Sequence, residues 1–152
     1  SGSYPVWDRT DLTDLRARLG MLVYSASWFN LPLPQEVHAA FSAHEHRFGV
    51  HAGEVETSML LHLAPEQVQM ARAQNFASTS ATRAQRFAIL GNGKSAKLGW
   101  AMQDYNPAGA AGNAAAADAQ RGQALVEAAA QGLAQLLQEM HQLPLDTVGP
   151  AY

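Results

Sequence analysis

Apolar positions along this chain change period several times, and each change predicts an element. Leu12, Leu15 and Leu19 recur at helical spacing, with Asp8 or Thr10 placed to cap that helix and Gly20 to end it. The continuous apolar run Met21–Ala26 follows at once and predicts a buried strand. Helix, tight loop and apolar strand in that order is the grammar of an α/β domain. The end of such a strand would deliver Ser27, Trp28 and Phe29 to a sheet edge, where open α/β folds place their sites. Val55, Met59, Leu60 and Leu63 return to spacings of three and four, predicting a helix with one buried face, entered through a turn at Gly53. Ala64-Pro65-Glu66 marks a break and a new short helix.

Further along, Asn75–Thr82 is polar and loop-like, Phe87–Leu90 is compatible with a strand, and Leu98–Met102 predicts another. A glycine-rich loop, Asp104–Gly112, then leads into a long helix from Ala114 to His141. Its stripe of Leu125, Val126, Ala129, Leu133, Leu136, Leu137 and Met140 is the pattern of a core or an interface. The tail Leu143–Tyr152, with Pro144 and Pro150, reads as extended.

Composition narrows the possibilities. A length of 152 residues suits one domain with a real core, and 47% apolar against 15% charged residues indicates a folded chain. Ser1-Gly2-Ser3 reads as a tag or processing remnant, leaving residues 4–152 as a single domain. A formal charge of −3 with scattered Lys and Arg gives no footprint for nucleic acid or an anionic membrane. No apolar run approaches the ~20 residues of a membrane span. The absence of cysteine excludes disulfides and thiolate metal sites and fits a cytoplasmic location. Low charge density predicts that part of the surface lies against another chain.

Three stretches carry candidate chemistry. His38, His44 and His46 raise zinc, but His44-x-His46 serves one metal only on a strand, and no cysteine or paired acid completes a set; they read as loop histidines. Gly91-Asn92-Gly93-Lys94-Ser95 ends like a phosphate-binding loop, yet Ala88, Ile89 and Leu90 stand where an upstream glycine is required. It reads as a turn. The third stretch, His51-Ala-Gly-Glu-Val-Glu-Thr-Ser58, places an imidazole on the turn before a helix and two carboxylates, Glu54 and Glu56, in its first turn. Acids are favoured there by unpaired N–H groups and the helix dipole.

That third stretch resembles the signature of the creatininase (creatinine amidohydrolase) family, which opens a helix beside a two-metal site. Ser25-Ala26-Ser27-Trp28 upstream, and Gly99-Trp100, Asp104 and the Gly109…Gly112-Asn113-Ala114 turn downstream, come in the family's order. The resemblance runs from about Leu12 to Leu145 and covers the family's C-terminal half only. It implies a three-layer sandwich, with a mostly parallel sheet and helices on both faces. It also implies a metal-dependent amidohydrolase that cleaves a C–N amide bond in a small molecule.

The family's metal ligands lie chiefly in its N-terminal half, in a Glu-x-His pair with a bridging Asp and in an Asn-Gly-His motif. Neither is present here, so this chain is expected to ligate no metal itself. A divalent metal (Zn, Mn or Fe) is expected only with an N-terminal half or partner chain, in a homo- or hetero-oligomer. By resemblance, His51 faces substrate and shuttles a proton to the leaving nitrogen, a role imidazole suits near neutral pH. Glu56 orients His51 or contacts the metal shell, and Trp28 aligns with an aromatic that closes over substrate. Asp104 is a weaker candidate. Val50 and Arg47 stand where creatininase itself carries an acid and near a second tryptophan, which argues against creatinine as substrate. The alternative is a non-catalytic scaffold or assembly subunit that retains the fold.

Overall fold

The structure is a computed structural model that describes residues 9–147 and 149. Ser1–Ser3, the Asp8 cap and the end of the tail lie outside the described residues. The chain divides into two compact units. One takes in residues up to Pro32 together with those from Ala129 onward; the other is Leu33–Ala128.

In the first unit, α1 spans Arg9–Leu19 and ends at Gly20, whose left-handed φ of 61° is cheap for glycine. The Gly20 N–H closes the helix on the Arg16 carbonyl at 2.9 Å. Residues 22–27 then run without regular structure into a 3-10 turn at Trp28–Asn30. Leu19, Met21, Tyr24 and Phe29 are all exposed.

The second unit is built from short helices. α2 (Gln35–Ala39), α3 (Ala43–Phe48), α4 (Glu54–Leu63) and α5 (Thr79–Arg86) are linked by tight turns, including a 3-10 turn that Pro65 opens. Ser42 caps α3, its hydroxyl accepting the Glu45 N–H at 3.1 Å, and Ser78 caps α5. β1 (Asn75–Phe76) and β2 (Gly112–Asn113) pair antiparallel, Asn75 opposite Asn113 and Phe76 opposite Gly112. Phe41, Ala110, Ala111, Ala114, Leu125 and Ala128 form this unit's core. α6 spans Ala119–Gln142; Leu125 of its apolar stripe and the neighbouring Ala128 are buried, whereas Leu133 and Leu137, in the other unit, are exposed. Asp118 starts α6 by accepting the Arg121 N–H at 2.9 Å.

The expected three-layer α/β sandwich with a mostly parallel sheet is therefore corrected. The only ladder among the described residues is two-stranded and antiparallel, and helices dominate. The reason is that a strand exists only by pairing. Met21–Ala26 and Leu98–Met102 have the apolar composition of strands, but neither finds a ladder partner among the described residues. The polar 75–82 stretch, expected as loop, instead supplies β1 and the start of α5.

Candidate active site

Glu45 organises the approach to the site. Its carboxylate is buried and accepts two backbone N–H groups, Asn113 at 3.0 Å on Oε2 and Val55 at 3.4 Å on Oε1. Val55 is in the first turn of α4, where the helix dipole favours a negative charge. Gly53 and Gly112 make room: a methyl at either would overlap the Glu45 carboxylate, and Gly112 also holds a φ of 136°. One buried acid thus ties α3, the entry of α4 and β2 together. Ser42-x-x-Glu45 has the spacing of a capping box, but the carboxylate is used by a different helix, a fact that spacing could not supply.

His51 lies on the turn that this anchor holds. Val50 donates to the Ala111 carbonyl and Ala111 donates to the His51 carbonyl, both at 2.9 Å, so the backbone beside the imidazole is pinned to fully buried Ala111. Ala52 follows with a left-handed φ of 52°. That conformation costs a non-glycine residue about 1–2 kcal/mol. Glu56 offsets it: Oε2 accepts the Ala52 N–H at 2.8 Å. The other oxygen, Oε1, lies 3.4 Å from His51 Nδ1. Nδ1 is thereby oriented by a carboxylate, the arrangement that sets a histidine's tautomer and turns its chemistry to Nε2.

Glu54 and Ser58 serve packing. Glu54 is buried and ion-paired with Arg121, which also donates to the carbonyls of Ala40 and Ala116 and lies over the Phe41 ring. Fully buried Ser58 donates to the Glu54 carbonyl at 2.6 Å and accepts the Asp118 N–H at 2.9 Å. Gly122 presses on the Ser58 carbonyl so closely that a methyl would overlap it. Arg121 escaped the sequence reading; its only signal was a lone cation in an alanine-rich stretch.

An aromatic wall borders His51. The Trp100 ring centroid is 5.9 Å from that of His51, and Tyr105 meets Trp100 edge-on at 5.1 Å. Asp104 holds this segment, accepting the Ala101 N–H at 2.7 Å, and Thr79 donates to the Asp104 and Tyr105 carbonyls. Asp104 is accordingly a backbone anchor. Beyond Trp100 opens a cleft of about 280 Å³. Trp28 belongs to the other unit, on its 3-10 turn, packed edge-on against Phe29 at 5.9 Å.

The three histidines between residues 38 and 46 form no common site. His38 and His46 stack at 3.8 Å and 5°, while His44 leans on Phe48 at 4.9 Å. His44 and His46 share helix α3, where a spacing of two splays them. Among the described residues no three His, Asp or Glu side chains converge as a metal would need. At the 91–95 turn, Asn92 Oδ1 accepts the Lys94 and Ser95 N–H groups at 2.8 and 2.9 Å, using the donors a phosphate loop would present.

No helix among the described residues is long and apolar enough to cross a membrane. Residues 9–137 match the family model Creatininase, described as creatinine amidohydrolase. No curated protein matches the chain. A solved structure named as a candidate creatinine amidohydrolase from Bacteroides fragilis is similar, at 29% identity and a TM-score of 0.63. The match covers 90% of this chain and 50% of that one, so this chain spans half the length of that protein.

Proposed function

Because this chain belongs to the creatininase family, we propose that it is the C-terminal half of a metal-dependent amidohydrolase acting on a small molecule. Family members depend on divalent metal for their chemistry. The described residues do not fit a metal centre, so the proposal assigns the ligands to an N-terminal half or a partner chain. The divalent metal would be zinc, manganese or iron, and the compartment the cytoplasm. The exposed apolar residues of the first unit, Leu19, Met21, Phe29, Leu133 and Leu137, suit an oligomer in which that half or chain covers them.

The observation that carries the reading is the His51–Glu56 contact on the strained turn before α4. With Nδ1 on Glu56, proton transfer falls to Nε2, which would protonate the leaving nitrogen as the C–N bond breaks. Trp28 is assigned to closing over substrate. The test is coexpression with the N-terminal half, followed by metal analysis and hydrolysis of a panel of small amides. About two metals per pair and amide cleavage are expected, with His51→Ala lowering kcat by about 10²-fold or more. A metal-free, inactive pair would favour the scaffold reading, which the lack of a ligand cluster among the described residues supports, whereas a His51→Ala variant of full activity would remove His51 from the proton transfer.

A further inference from the structure

Arg47, Arg83 and Lys97 line the cleft beside Trp100, together with Phe48 and Tyr105, and no Asp or Glu lines it. In a chain with ten basic and thirteen acidic residues, that is a local reversal of charge. None of the three cations has a carboxylate partner among the described residues. Each is nonetheless held. Arg47 lies over the Phe48 ring at 4.8 Å, and Arg83 over Tyr105 at 5.2 Å, while Lys97 Nζ donates to the Gly93 carbonyl at 2.7 Å. Arg83 also donates to Thr79 Oγ1 at 2.9 Å. Three like charges ordered around one cleft repel one another, and a bound counter-charge would relieve that repulsion.

Resting on the amidohydrolase reading, we infer that this cleft is a specificity subsite of the His51 site, recognising an anionic amide. The substrate carries a carboxylate or phosphate, gripped by Arg83, Lys97 and Arg47, and a flat face that stacks on Trp100. Trp100 connects the two functions, since its ring borders both the cleft and the His51 imidazole. Arginine's planar fork suits either oxyanion. A cationic substrate would meet the same three charges as repulsion.

The test titrates the ¹⁵N-labelled chain with hippurate, which carries a flat ring, an amide and a carboxylate. Its uncharged counterpart hippuramide and the anion phenyl phosphate are titrated alongside. Hippurate is expected to shift the Trp100 indole N–H saturably and to bind at least about tenfold tighter than hippuramide. Arg83→Gln and Lys97→Gln should each weaken hippurate about tenfold, and Lys97→Gln leaves the Arg83–Tyr105 stack in place. The tighter of hippurate and phenyl phosphate distinguishes carboxylate from phosphate. Equal affinity for hippurate and hippuramide, or no saturable Trp100 shift with either anion, overturns the inference. The readout needs no turnover. Lost anion binding with intact cleavage of neutral amides would reject this inference alone, and anion binding without turnover in the completed enzyme would reject the amidohydrolase reading alone.

Discussion

Glu56 divides its carboxylate between His51 and Ala52: Oε1 lies 3.4 Å from the imidazole Nδ1, and Oε2 accepts the Ala52 N–H at 2.8 Å. The same side chain thus orients the candidate proton carrier and holds the left-handed residue that positions it.

The two roles separate by substitution. Glu56→Gln keeps an oxygen for the Ala52 N–H but loses the charge facing His51; Glu56→Ala loses both. Thermal unfolding should show a loss of about 1 kcal/mol for Glu56→Ala and less for Glu56→Gln. In the completed enzyme both should lower kcat, by about 10- to 100-fold. A Glu56→Gln enzyme at full rate would leave Glu56 as a cap only.

Glu45 should prove important to folding although it lies outside the motif. Glu45→Ala leaves the Val55 and Asn113 N–H groups without their acceptor, at about 1–3 kcal/mol for each buried group. Urea unfolding should register a loss of several kcal/mol. Gly112→Ala, which overlaps the same carboxylate at a φ of 136°, should be similarly severe.

Gly122→Ala tests the close approach of α6 to α4. Glycine to alanine inside a helix ordinarily stabilises by about 1 kcal/mol. Here the added methyl overlaps the Ser58 carbonyl, so the sign should reverse, with a loss of about 1–3 kcal/mol. A raised Tm would contradict the packing described.

The Glu54–Arg121 pair offers a double-mutant cycle. Arg121→Met strands the buried Glu54 carboxylate, at about 3–5 kcal/mol, and Glu54→Leu leaves Arg121 only Asp118 Oδ1, at 4.0 Å, as a carboxylate partner among the described residues; the double variant should cost less than the sum of the two. Additive losses would show that the two side chains are not coupled.

Local elements of this fold were legible in the sequence because their bonds are local. Helical hydrogen bonds join residues four apart, so Leu12, Leu15 and Leu19 announce α1, Gly20 its end, and Val55, Met59 and Leu63 announce α4. The same locality put His51 on a turn and Glu54 and Glu56 in a first turn, where the structure has them. Tertiary structure alone decided what those groups meet. The apolar run at Met21–Ala26 looked like a strand, but strand formation needs a distant partner that composition does not encode. The three acids Glu45, Glu54 and Glu56 look alike in sequence. Long-range packing sends the first to the backbone of α4 and β2 and the second to Arg121, whereas the third reaches His51 only five residues away. The cationic cleft is likewise invisible in a chain of net charge −3, because Arg47, Arg83 and Lys97 become neighbours only once the chain folds.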